Sequence, residues 1–136
     1  MKKLKVYIAS PYTHGSATDN IRRQIDAKHI LMDAGFTPFA PLESFFGDIM
    51  KYRSEREWLD WELEWLEVCD IVVRIRPTDK NGKEVPSSGS DGETNRAEEL
   101  GIPVYNFPGV DSLKRWAKRT PKEALLSIIE REKIIH

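Results

Sequence analysis

Residues 55–75 read EREWLDWELEWLEVCDIVVRI. The stretch from Glu55 to Cys69 carries apolar residues at helical spacing, which predicts a strongly amphipathic helix. Asp70 to Ile75 (DIVVRI) then changes to a short β-branched run, the pattern of a buried strand. A long amphipathic helix that feeds directly into a buried strand is half of a parallel βαβ unit, and it sets the reading of everything around it.

Towards the N-terminus the same pattern recurs. Leu4 to Ala9 reads as a first strand, and Ser10 to Thr18 (SPYTHGSAT) as a loop rich in turn formers. Thr18 or Asp19 is placed to cap a helix over Asn20 to Ala34, which Gly35 ends. Phe36 to Ala40 is a second short strand, and the aromatic-bearing stretch from Leu42 to Ser54 has no clear period. Towards the C-terminus, Pro77 to Ser90 is polar, with a tight turn at Asn81-Gly82. A helix over Gly92 to Leu100 and a fourth strand over Ile102 to Asn106 follow. Thr120-Pro121-Lys122-Glu123 is a capping box that opens a last helix.

Strand and helix alternate four times. That order predicts one α/β domain over residues 1–136, with a four- to five-stranded parallel sheet between two layers of helices. Ligands in such sheets bind beyond the carboxyl ends of the strands. The loops after the first and third strands, Ser10 to Thr18 and Arg76 to Ser90, fall at that edge.

Composition narrows the function. The 136 residues hold 21 basic and 22 acidic side chains, a net charge of −1. That balance argues against a nucleic-acid polymer as partner, since such binders usually carry a basic surplus. A phosphorylated small molecule needs only a local pocket. The single cysteine, Cys69, has no internal partner for a disulfide, which points to a reducing cytoplasm. The N-terminal MKKLKVYIAS is too short in its apolar run for a signal peptide, and no stretch has the length of a membrane span. His14, His29, His136 and Cys69 lack metal-ligand spacing. No Walker or GxGxxG motif occurs, and no cofactor is implied.

Three groups of residues can carry chemistry. Ser87-Ser88-Gly89-Ser90-Asp91-Gly92-Glu93 runs from a loop into a helix. Its small residues, hydroxyls and free helix-terminal amides suit a phosphate, and Glu93 would sit beside it in the first turn; a flexible linker is the plainer alternative. Glu62 falls in the middle of the apolar arc formed by Trp58, Leu59, Trp65, Leu66 and Cys69, with the helix wound at about 100° per residue. A carboxyl so placed is either paired, with Arg53 or Arg56, or held neutral and able to give up a proton. Asp60 points away, as a surface acid, unless the helix begins later than Glu55. Tyr7 in the first strand, with Ser10, Pro11 and Tyr12 beyond it, forms the third group; Tyr7 reads as core or as site, and Tyr12 as a platform for a base. Arg22 and Arg23 belong to a solvated helix face or reach the rim. Trp58, Trp61 and Trp65 read as packing.

Taken in order, Tyr7-Ile8-Ala9-Ser10-Pro11-Tyr12, the helix from Trp58 closing on Cys69-Asp70, and Ser87 to Glu93 followed by Gly101-Ile102-Pro103-Val104 resemble the nucleoside 2-deoxyribosyltransferase-like superfamily. The likeness runs from about Lys5 to Asn106. It implies a flavodoxin-like (Rossmann-like) three-layer fold. It also implies a glutamate nucleophile at Glu93, oriented by Tyr7, and an acid at Glu62 where the family usually has aspartate; Asp60 is the fallback. Ser87 stands where transferases of free nucleosides tend to carry an acid and monophosphate hydrolases a serine. The resemblance therefore implies an N-glycosidase acting on a (deoxy)ribonucleoside 5′-monophosphate. Ser10, Pro11, Tyr12, Arg22, Ser87, Gly89 and Ser90 would bind the nucleotide, with no metal. A base-exchanging deoxyribosyltransferase and a nucleotide-binding module without turnover are the competing readings. The family also implies a homodimer or higher homo-oligomer, for which Leu42 to Tyr52 and the tryptophan helix offer aromatic surface.

Overall fold

The computed structural model describes residues 3–135; Met1, Lys2 and His136 lie outside the described residues. Four strands form one sheet: β1 (Lys5–Ala9), β2 (Thr37–Phe39), β3 (Ile71–Ile75) and β4 (Val104–Phe107). All neighbours are parallel, in the order β2-β1-β3-β4. The helices are α1 (Ala17–Asp33), α2 (Phe45–Met50), α3 (Glu55–Glu67), α4 (Ser88–Glu99), α5 (Val110–Arg119) and α6 (Lys122–Ile135), with a 3-10 turn over Pro41–Ser44. This is the flavodoxin-like arrangement, and its strand order reverses direction between β1 and β3.

Alternation within the strands builds both layers. Val6 and Ile8 of β1, with Ile71, Val73 and Ile75 of β3, pack on Ala27 and Leu31 of α1, Leu113 of α5 and Leu125 of α6. Tyr7, Ala9 and Val72 point the other way, against Leu66 of α3 and Ala97 of α4. With both faces covered, β1 and β3 are buried almost throughout, which is why they read as unbroken apolar runs.

The caps fix the helix boundaries, and several differ from expectation. Helix α1 starts at Ala17, because Ser16 accepts from the Asp19 amide at 3.2 Å; neither Thr18 nor Asp19 is the cap. Gly35 closes it at a φ of 91°, a conformation that favours glycine. Helix α3 begins at Glu55 as expected, held by a Ser54–Glu57 capping box, and ends at Glu67, two residues before Cys69. Helix α4 starts at Ser88, not Gly92, because the Ser87 hydroxyl accepts from the Ser90 amide at 3.1 Å. Helix α5 was not expected from the sequence, and α6 opens at Lys122, one residue later than the capping box over Thr120 to Glu123 places it, with the Pro121 carbonyl accepting from the Leu125 amide at 3.3 Å.

The polar stretch after β3 is closed rather than loose. Thr78 and Glu84 form an antiparallel bridge, and the Asp79 amide donates to the Lys83 carbonyl at 2.7 Å. The Arg76 guanidinium grips both Glu84 oxygens at 2.9 and 3.1 Å. Gly82 turns the tip at a φ of 79°, as Asn81-Gly82 predicted. Among the described residues no helix is long and apolar enough to cross a membrane.

Candidate functional site

A cleft of about 530 Å³ opens at the carboxyl edge of the sheet. Its walls come from the loop after β1, the Pro41–Met50 segment, α3 and the start of α4. The volume is in the range of small-ligand sites.

Glu93 lies on the floor. Since α4 starts at Ser88, Glu93 belongs to its second turn, not the first. It is 6% exposed, and the Tyr7 hydroxyl, fully buried beneath it, donates to its Oε2. Burial pushes the Glu93 carboxyl up to about 8; the Tyr7 hydrogen bond opposes that, Glu62 adds to it and Arg74 opposes it. Tyr7 is driven well above the usual tyrosine range, by burial first and then by Glu93, so it stays a donor.

Glu62 looks into the same cleft from α3, with Trp58 and Leu59 beside it. Burial pushes its carboxyl up to about 7. The two arginines considered as partners are engaged elsewhere: Arg53 with Glu57 at 3.1 Å and Arg56 with Asp60 at 3.2 Å. The apolar face of α3 thus carries a carboxyl poised to hold a proton near neutral pH.

The start of α4 brings unpaired amides and hydroxyls to the cleft. Ser88 and Gly89 line the cleft in the first turn, where amides have no acceptor within the helix. The Ser87 hydroxyl takes the Ser90 amide and bonds the Ser90 hydroxyl at 2.8 Å. Ser87 therefore acts first as the cap, and the Ser90 proton is the one available to a ligand. A Cβ at Gly89 or Gly92 would meet no atom within 4 Å. Their lack of side chains serves open space, not crowded packing.

Ser10 and Tyr12 line the opposite wall, and Tyr12 meets the Phe45 ring at 6.0 Å. Three expected residues do not join them. Asp60 is exposed on the far side of α3, well inside the helix because it begins at Glu55. Arg22 is exposed on α1, and Pro11 is buried under the loop; neither lines the cleft. Trp58, read as packing, lines the cleft and donates its indole N–H to Asp48 at 2.8 Å.

Two further residues went unread in the sequence. Gln24 is buried in α1; its Oε1 accepts from the Leu42 amide at 2.8 Å and its Nε2 donates to Ser10 Oγ at 2.9 Å. It ties the loop after β1 to the Pro41–Ser44 turn and leaves the Ser10 proton free to donate into the cleft. Arg74, at the end of β3, is a buried cation. A glutamine on an amphipathic helix and an arginine in a strand both look like surface residues until the tertiary fold covers them. Among the described residues no cluster of His, Cys, Asp and Glu could hold a metal ion.

The fold and cleft define a class: a flavodoxin-like α/β protein in which two carboxyls, one held by a tyrosine hydroxyl, share a cleft with a helix N-terminus. Residues 4–107 match the family described as "Domain of unknown function (DUF7768)", and the chain belongs to it. Its fold is that of the 2-deoxyribosyltransferase from the psychrotolerant bacterium Bacillus psychrosaccharolyticus, at a TM-score of 0.63 and 20% identity, over 89% of this chain and 95% of that one. No curated protein matches the sequence.

Proposed function

We propose that the protein cleaves the N-glycosidic bond of a nucleoside 5′-monophosphate. The observation that carries this reading is a buried glutamate, held by a tyrosine hydroxyl, sharing one cleft with a second carboxyl and a helix N-terminus. Glu93 attacks the anomeric carbon and forms a glycosyl ester. The carbon–nitrogen bond breaks with its electron pair going to the base, and Glu62 gives the base its proton. Water then attacks the same carbon, Glu62 takes a proton from it, and Glu93 leaves as a carboxylate. The amides of Ser88 and Gly89 and the Ser90 hydroxyl hold the phosphate. Ser10 donates to the nucleoside, and Tyr12 and Trp58 flank it.

The test is release of free base from a panel of nucleotides and nucleosides. Wild-type protein releases base from one or more monophosphates, and Glu93→Gln loses that release. Retention of normal release by Glu93→Gln would sink the proposal.

A second reading keeps the site and changes the acceptor. The similar fold bears the name of a 2-deoxyribosyltransferase, and a free base in place of water would give exchange. Adding a second base distinguishes them, since transfer yields a new nucleoside and hydrolysis yields free sugar. For either reading, the exposed Phe46, Ile49, Met50 and Tyr52 beside the cleft mouth suit an interface between copies of this chain. Light scattering should then give an oligomer.

A further inference from the structure

Arg74 lies in β3 opposite Ala9 of β1, on the face of the sheet that packs against α4. It is 5% exposed. Its Nη2 bonds Asp91 at 2.7 Å and its Nη1 donates to Thr94 Oγ1 at 3.3 Å. Its Nε is buried without a partner. Taking a guanidinium out of water with one donor unmet is costly, and a sheet strand offers many cheaper residues. Something nearby has to offset that cost.

The surrounding charges identify it. Facing Glu93 are Tyr7 from β1, Glu62 from α3 and Arg74 from β3. Facing Arg74 are Asp91 and Thr94 from α4 and, further out, Glu84 of the hairpin. Asp91 is largely exposed, so water weakens its hold. Among the described residues, the other groups acting on Glu93 are a second carboxyl and a neutral phenol, and Arg74 is the cation that acts on it.

We propose that Arg74 is a positioning residue: it grips α4 on either side of Glu93, through Asp91 and Thr94, and supplies a positive charge that eases ionisation of Glu93 for attack. The role rests on Glu93 being the nucleophile. Arg74 thereby offsets part of the burial that raises Glu93 above Glu62. Arg74 stands behind α4, on the Glu93 side, whereas Glu62 approaches from α3 with only apolar neighbours on its own helix face.

The test reads the carboxyls directly, so it does not depend on turnover. Protein carrying carboxyl-¹³C glutamate is titrated by NMR, with the two signals assigned from Glu93→Gln and Glu62→Gln. Arg74→Met should raise the Glu93 midpoint by about one pH unit or more, an approximately tenfold loss of ionised Glu93 below that midpoint. Arg74→Lys, which keeps the charge, should stay close to wild type. Asp91→Asn, on the exposed side, frees the guanidinium and should lower the Glu93 midpoint; it decides the matter if Arg74→Met does not fold. With substrate, Arg74→Met should lower the maximum of the pH–rate profile, since less Glu93 is ionised there. A Glu93 midpoint unmoved in folded Arg74→Met, or unmoved in Asp91→Asn, overturns the proposal. Wild-type protein that releases no base from any nucleotide defeats the functional reading alone, and the titration still decides the role of Arg74.

Discussion

The Tyr7 hydroxyl donates to the Glu93 carboxylate across 86 residues of sequence, joining the middle of β1 to the second turn of α4. Both partners are buried, so the bond is protected from water. It fixes which oxygen of Glu93 is occupied and leaves the other for the cleft.

Tyr7→Phe should therefore cost activity more than stability. A hydrogen bond to a charged group is worth roughly 1.5–3 kcal/mol, which is about ten- to a hundredfold in rate if it is felt in the transition state. The expected result is a fall in kcat of that order with KM little changed. Circular dichroism should show the fold intact.

The two carboxyls predict a bell-shaped pH profile. They are pushed up to about 7 and about 8, and they interact, so the pair loses its protons in two shared steps. The working form carries one proton, with Glu93 ionised and Glu62 protonated; because Glu93 is pushed up further, this is the minor arrangement of the one-proton state. Activity should rise as the first proton leaves and fall as the second leaves, with a maximum between those values. Stability should follow the opposite logic. Folded Glu93 keeps a proton that the unfolded chain releases near its ordinary value of 4.5, so its contribution to stability is lost as pH rises from there towards about 8. Glu93→Gln should melt higher than wild type above that range, with the gap closing near 4.5. A pH-independent gap would contradict the burial argument.

Gly92 exposes a trade between stability and function. It sits inside α4, where glycine costs about 1 kcal/mol relative to alanine, and an added Cβ would meet nothing. Gly92→Ala should raise the melting temperature. It should also weaken nucleotide binding, because the methyl group enters space that the ligand approaches. Calorimetric melting and a binding titration on the same sample check both halves.

Ser87→Asp isolates the phosphate. Aspartate caps a helix as well as serine does, so α4 should keep its start and the protein its stability. The new charge faces the proposed phosphate site. KM for monophosphates should rise tenfold or more, and the penalty for free nucleosides should be much smaller. Equal effects on both would remove the phosphate from the proposal.

The fold was legible because both faces of β1 and β3 are covered, which leaves continuous apolar runs that periodicity detects. Glu62 was legible for a related reason: a carboxyl in the middle of an apolar helix face is conspicuous on a wheel. Caps were harder. Ser16 and Ser87 each have other plausible capping residues close by, and the hydroxyl that reaches the right amide is chosen by the loop before it. Residues whose role arises from tertiary contact were not legible at all. Gln24 joins two loops, and Arg74 is buried only because α4 crosses it. Helix α5 was legible and overlooked: Val110, Leu113, Trp116 and Ala117 fall at helical spacing and all pack on the core.

The hairpin after β3 and the lone cysteine together make the molecule easy to instrument. Cys69 is buried with its thiol pushed up to about 12, chiefly by burial, so thiol-reactive dyes should pass it by. Asn81 stands exposed at a tip that is clasped at its base by Arg76 and Glu84. A cysteine introduced there would be the single reactive handle on the chain, and a fluorophore attached to it would report from outside the cleft, at the carboxyl edge of the sheet, without disturbing the wild-type cysteine.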